Sequence, residues 1–187
     1  MAQFSQPTQS GSSRQLVGVT ARLGKALDSQ NAKQGEAVQA KLDRTVKVTE
    51  DMKLPRGTEL LGTIAAVEPS LNGGPSSMSL RFDQAKMKDG KTVPVKVTVI
   101  AAYPSDENLE ATYGNETMGS APRHVQGQDK FDQEPGLLSK VSMTSRVSGH
   151  NSATFSRKDG AVSLRAGTFL QVGISPLESN GVSSAGL

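Results

Sequence analysis

The residues most capable of chemistry in this 187-residue chain are its two histidines. His124 lies in a polar stretch, and His150 lies in the turn Gly149-His150-Asn151. A Ser-His-Asp triad on an α/β-hydrolase needs its serine in the sharp turn Gly-x-Ser-x-Gly, and the chain lacks that pattern. The two histidines also lack the spacing that marks a metal site. We therefore predict no catalytic residue and no metal site.

Two other stretches only partly match ligand-binding loops. Asp106, Asn108 and Glu110 follow the ligand spacing of a calcium loop, but Ala111 occupies the position that requires glycine. The stretch 114–120 contains Gly-x-x-x-x-Gly without the lysine that holds phosphates, and no strand or helix flanks it. Neither pattern is complete, so we predict that the protein uses no cofactor.

Composition excludes several further classes of protein. The chain has no cysteine, which excludes disulfides, thiolate nucleophiles and cysteine-ligated zinc. Its net charge of +3 comes from basic residues interspersed with acidic ones, and aromatic residues make up only 4%. We predict no nucleic-acid partner, because such binding favours a clustered basic surface and aromatic side chains on which bases stack. No apolar run is long enough for a membrane-spanning helix, so we expect no such segment in this chain.

The elements that must position these residues are β-strands. In one stretch Val95, Val97 and Val99 alternate with Lys96 and Thr98, which predicts a strand whose polar pair faces outward. Similar alternation recurs between turn residues and predicts about 8–10 short strands with almost no helix. We predict an all-β fold, and within it a β-barrel, because closure leaves no sheet edge exposed. A β-sandwich is the alternative.

The stretch 54–62 is the strongest local signal for this fold. The residue before Pro55 must be extended, Gly57 can adopt the positive φ of a turn, and a strand then begins at Thr58. A related turn occurs near Gly167, and Asp89-Gly90 is a hairpin signal. The residues that we predict to form this structural motif are Pro55, Gly57, Thr58, Leu60, Gly62, Asp89, Gly90, Gly167 and Thr168.

The pattern also predicts how the chain divides. Residues 1–14 are rich in serine and glutamine and are expected to form a disordered leader. Residues 15–175 are expected to form a single β-barrel domain, and residues 176–187 a flexible tail. Within the domain, residues 104–136 interrupt the alternation and are interpreted as a long polar insertion, either disordered or functional.

The order of these features resembles the C-terminal β-barrel of the TrbI family, the barrel subunit of the type IV secretion core complex. The resemblance implies a barrel module in a bacterial cell envelope, either within a secretion or conjugation apparatus or as a stand-alone relative. That family carries an apolar helical hairpin before its last strands, whereas the insertion here is polar. The matching features are, in order, a strand at 17–27 followed by Asp28-Ser29, a strand at Ala37–Leu42, the stretch 54–62, a strand ending in Arg81-Phe82, the turn Lys88-Asp89-Gly90 and a last strand at 164–172.

Two functions are consistent with the sequence. The first is a non-enzymatic envelope module with a scaffold or protein-binding role, located in the periplasm or cell envelope although no signal peptide is present in this chain. Its partners would be other proteins or further copies of itself, and the sequence specifies no small-molecule ligand. The alternative is a soluble β-barrel enzyme or carbohydrate-binding module with its site in the insertion, where only Tyr103 and Tyr113 could stack on a sugar.

The insertion generates a prediction about proteolysis. Few apolar residues anchor it, and loop-closure entropy grows slowly with length, so we expect limited proteolysis to cut first within 104–135. Mass spectrometry of the early fragments checks this expectation. First cuts within residues 58–67 would contradict the proposed domain boundaries.

Overall fold

The computed structural model describes residues 16–104 and 128–177, and within these ranges every regular element is a β-strand. The all-β prediction is therefore confirmed. The strands are β1 (Val17–Leu23), β2 (Leu27–Asp28), β3 (Ala37–Leu42), β4 (Val46–Lys47), β5 (Lys53–Leu54), β6 (Glu59–Glu68), β7 (Ser76–Lys86), β8 (Thr92–Tyr103), β9 (Lys130–Leu138), β10 (Val141–Arg146), β11 (Ala153–Arg157), β12 (Ser163–Leu164) and β13 (Phe169–Pro176).

Six of the strands close into an antiparallel barrel. The order is β6-β3-β1-β13-β8-β7, and pairing of β7 with β6 completes the ring. Each wall strand is amphipathic: in β3, Val38, Ala40 and Leu42 are buried while Gln39 and Lys41 are exposed. Successive side chains of a strand point to opposite faces, so this alternation directs one face of every wall strand into a common core. The barrel, rather than the sandwich, is the architecture.

Two short ribbons close the barrel at opposite ends. The ribbon of β2 and β12 follows the end of β1, and the ribbon of β4 and β5 follows the end of β3. Because β1 and β3 are antiparallel neighbours, the two ribbons leave in opposite directions. Leu27 and Leu164 of the first ribbon and Val46 and Leu54 of the second are buried in the same apolar core. The interior is therefore filled with side chains at its middle and at both ends.

A three-stranded extension continues the sheet beyond the barrel. β7 pairs with β8 only over Gln84–Lys86, and over Ser76–Leu80 the same edge pairs instead with β11. β10 and β9 follow β11 in a nine-stranded sheet. The extension thus occupies the gap that opens where β7 and β8 diverge. Its buried residues Met143 and Phe155 belong to the same core as the barrel.

Two local features differ from the sequence-based expectation. The segment expected to be irregular through residue 136 contains β9 from Lys130, because Phe131 is buried and Gln133 is held by hydrogen bonds to β8. Thr98, expected to face solvent, is fully buried. It lies opposite Gly173, above which the Leu16 side chain packs, so this part of the outer face is covered.

Candidate functional site

The first motif turn has a hydrogen-bonded geometry that requires its glycine. Gly57 has a φ of +86°, in the region that disfavours residues with a Cβ. The Thr58 hydroxyl donates to the Pro55 carbonyl oxygen at 2.7 Å and closes the turn. The Gly57 amide donates to the Leu42 carbonyl oxygen at 2.9 Å, which joins the turn to the end of β3. The predicted positive φ at Gly57 is confirmed.

The second motif turn repeats this arrangement. Gly167 has a φ of +82°, and the Thr168 hydroxyl donates to the Arg165 carbonyl oxygen at 2.7 Å. The Gly167 amide donates to the Leu23 carbonyl oxygen at 2.7 Å, at the end of β1. Each turn therefore connects a two-residue capping strand to a wall strand, and each is anchored on the neighbouring wall strand. The barrel contains an internal structural repeat, of which the two turns are equivalent parts.

The other residues of the predicted motif lie along β6 and at the β7–β8 hairpin. Leu60 is fully buried in the core. At Gly62, β6 lies so close to β7 that a Cβ would overlap the backbone of Arg81. In the hairpin, Asp89 accepts a hydrogen bond from a backbone amide two residues on, and Gly90 has a φ of +85°. All of these positions shape the backbone, and together they define no pocket.

His150 lies beside a shallow pocket, and among the described residues it is not part of a triad. The pocket, about 190 Å³ in volume, is open to solvent at the turn between β10 and β11. Within the described part of the chain no side chain hydrogen-bonds the His150 imidazole, and His124 lies outside that part. The pocket is lined by Thr144, Ser145, Arg146, Gly149, His150, Asn151, Ala153 and Thr154.

The Asp129 carboxylate bonds to the turn between β10 and β11. Asp129 accepts hydrogen bonds from the Ser148 amide at 2.8 Å and the Ser148 hydroxyl at 2.9 Å. Its backbone carbonyl oxygen accepts the Val147 amide at 2.7 Å. The bonds from Ser148, with smaller contributions from Arg146 and Lys96, lower the pKa of the Asp129 carboxyl below its usual value. Asp129 is therefore a structural acceptor and not a base poised to take a proton.

The outer face of the extension is polar, and its groups bond to one another. Thr144 donates to Asp132 at 2.6 Å, and the hydroxyls of Ser79 and Thr154 lie 2.8 Å apart. The ammonium of Lys130, followed by the Thr144 hydroxyl, lowers the pKa of the Asp132 carboxyl. These contacts hold part of the face in a fixed hydrogen-bonded arrangement.

Three polar side chains close the gap between the extension and the barrel. Ser152 is buried, and its hydroxyl accepts the Phe82 amide of β7 while its carbonyl oxygen accepts the Val99 amide of β8. The Ser145 hydroxyl donates to the Val99 carbonyl oxygen. Gln133 of β9 bonds both backbone groups of Ala102. The sequence does not distinguish these residues, because polar side chains in strands usually face solvent and only contacts in the folded chain set these three apart.

Tyr103, one of the two aromatic residues considered for sugar binding, lies at the end of β8. It is partly buried, and that burial raises the pKa of its phenol. Tyr113 lies outside the described residues. A stacking platform that combines the two is therefore not shown.

Among the described residues, no group of histidine and carboxylate side chains could hold a metal ion. In the same part of the chain, no helix has the length and apolar character needed to cross a membrane.

Comparison with known proteins finds similarity among solved structures. No protein-family model matches the chain, and no curated protein matches it. Among solved structures, the chain is similar to ComB10 of the Com type IV secretion system of Helicobacter pylori. The two sequences are 15% identical, the match covers 88% of this chain and 85% of ComB10, and the TM-score is 0.39. The likeness is weak.

The turn geometry predicts the effect of substitution at Gly57. Gly57→Val places a β-branched residue at a φ of +86° and should lower the free energy of unfolding by about 1–3 kcal/mol. Chemical denaturation measures the change. Arg56→Val is the matched control, because Arg56 precedes the same glycine without a positive φ. Equal unfolding free energies for the two variants would contradict the strained-turn explanation.

The Asp129 contacts predict an acid-sensitive turn. The Asp129 carboxyl has a lower pKa in the folded protein than in the unfolded chain, where an aspartate has a pKa of about 3.9. The ionised carboxyl therefore stabilises the fold above the unfolded pKa, and this stabilisation is lost as the pH falls through the folded pKa. The protection of the Ser148 amide, taken relative to its intrinsic exchange rate at each pH, should therefore fall as the pH drops through the lowered folded pKa of Asp129. Nuclear magnetic resonance measures this exchange between pH 6 and pH 2. Asp129→Asn should abolish the pH dependence of this protection at Ser148, and a variant that still loses protection on acidification as the unaltered protein does would contradict the assignment.

Proposed function

We propose that this protein is a non-enzymatic barrel module of a bacterial cell envelope that acts by binding other proteins. In this proposal residues 15–175 form one domain, and the module works in the periplasm or on the envelope. Its partners are envelope proteins or further copies of the chain. The role belongs with the barrel subunits of secretion and conjugation assemblies, as a component or a stand-alone relative.

The observation that best supports a binding role is the closed, filled interior of the barrel. Thirty residues form one buried apolar cluster, and the capping residues Leu27, Leu164, Val46 and Leu54 belong to it. Side chains that pack in this way fill the interior of a small barrel, as they do in other barrels with few strands. A filled interior favours a function on the outer surface and loops of the barrel.

The order of motifs supports the envelope assignment. The turn at Gly57, the hairpin at Asp89-Gly90 and the closing turn at Gly167 occur in the same order as in the TrbI-family barrel that the sequence resembles. In this chain each turn has a defined structural task in closing the barrel. The resemblance therefore concerns the positions that shape the fold.

We place the partner-binding surface at one end of the barrel. β7 and β8 are antiparallel, so the turn at 69–75 and the connection that follows Tyr103 leave from the same end. Leu71 in that turn is 76% exposed, the most exposed large apolar side chain of the described residues. Loops carried on a rigid scaffold commonly hold binding residues. This end, which we call the loop end, is the surface on which we place partner binding.

Site-specific photo-crosslinking tests the proposal. A photo-reactive amino acid at Leu71 should give a discrete adduct in cells that express the protein, and mass spectrometry should identify it as an envelope protein or a second copy of the chain. The same group at Lys41, an exposed residue on the barrel wall, is the control and should give no such adduct. Adducts with cytoplasmic proteins alone, or none at the loop end, would contradict the proposal.

A hydrolase screen tests the enzymatic alternative. The purified protein should show no turnover above background with ester, peptide or glycoside substrates. A turnover above about 1 per second, within the usual range for enzymes, that His150→Ala abolishes would overturn the non-enzymatic assignment.

A further inference from the structure

The junction between β8 and β9 is unlike the other junctions of the sheet. β9 has a backbone ladder only with β10, and its other side faces β8 without one. The contact is made by the Gln133 carboxamide: its Nε2–H donates to the Ala102 carbonyl oxygen, and its Oε1 accepts the Ala102 amide, both at 2.8 Å. A carboxamide carries the same donor and acceptor as a peptide group. Gln133 therefore occupies the place of one backbone unit of a missing ladder.

The opposite side of the extension is held much more firmly. β11 pairs with β7 through five consecutive residue positions, from Ala153 opposite Leu80 to Arg157 opposite Ser76. Ser152 adds hydrogen bonds to both β7 and β8 at the point where those strands diverge. The extension is thus attached along one side by a continuous ladder and along the other by side chains.

We propose that the β9–β10–β11 extension opens and closes as a unit, that the β7–β11 ladder is its hinge, and that Gln133 is the latch at the β8–β9 junction. Opening breaks the two Gln133 bonds and the bond from Ser145 to Val99, and it leaves every ladder of the six-stranded barrel intact. It frees the backbone groups of Ala102 and withdraws buried side chains of the extension, among them Met143 and Phe155, from the core that they share with the barrel. The motion is a local opening, which proteins undergo below the free energy of global unfolding.

The latch is weak for a physical reason. Glutamine must give up considerable rotamer freedom to hold one geometry, and each hydrogen bond returns only a modest net stabilisation. In a backbone ladder, by contrast, one strand fixes many bonds cooperatively. The closed form therefore depends on the two Gln133 bonds and on the packing of the extension's apolar residues into the core that they share with the barrel, and of these the Gln133 bonds can be altered without touching the barrel.

Amide hydrogen exchange of the full chain tests the latch. In the unaltered protein, the amide of Ala102 should exchange faster than those of Val19 and Val172 in the β1–β13 ladder. Gln133→Met keeps a side chain of similar length and removes both bonds. It should accelerate exchange at Ala102 by about ten- to a hundredfold while leaving Val19 unchanged, since two net hydrogen bonds are lost.

Two controls separate a latch from a general stabilising contact. Gln84→Met removes an exposed glutamine from β7 and should leave exchange at Ala102 as it was. Gln133→Asn keeps the carboxamide but is one methylene too short to reach, and it should behave like Gln133→Met. Acceleration of all amides by one common factor, or no acceleration at Ala102, would overturn the proposal.

Discussion

Closure of the hydrogen-bonded ring between β6 and β7 is the constraint on which the rest of the structure depends. Five of the six junctions of the barrel could exist in an open, twisted sheet, and the sixth turns that sheet into a barrel with one interior. Closure requires the two backbones to approach closely, and at Gly62 the approach leaves no room for a Cβ. Register shifts at Leu61–Gly62 and Ile64–Ala66 let β6 bend around the core.

A closed ring of strands still leaves the two ends of the barrel to be covered. A small barrel with open ends would expose the apolar side chains of its interior to water. Each end is covered by a two-residue ribbon, and the turn after each ribbon returns the chain to the wall through the same pattern of bonds, at Thr58 and at Thr168. The same turn geometry thus follows the capping ribbon at both ends of the barrel. It also explains why the two turn motifs carry similar sequences although they are far apart in the chain.

Much of the barrel could be predicted from the sequence, because its signals are local. Alternation marks the wall strands, and glycine before threonine marks the turns, where φ is positive at Gly57 and Gly167. The extension was harder. β9 follows an irregular segment, includes a proline and is recognised only through what Gln133 contacts more than thirty residues away. The burial of Thr98 has the same origin, since it depends on Leu16 and Gly173 on neighbouring strands. The position of β9 and the burial of Thr98 both depend on contacts between distant residues, so the sequence alone does not reveal them.

The pairing of β1 with β13 has a consequence for how the protein is made. These are the first and last described strands, and their six paired positions, from Val17 opposite Ile174 to Arg22 opposite Phe169, join residues roughly 150 positions apart. Contacts of such long sequence separation slow folding, because a large loop must close before they form. During synthesis on the ribosome β1 cannot acquire this partner until β13 has emerged. Throughout that interval the growing chain presents an unpaired strand edge, and its solubility depends on chaperones or on the speed of translation.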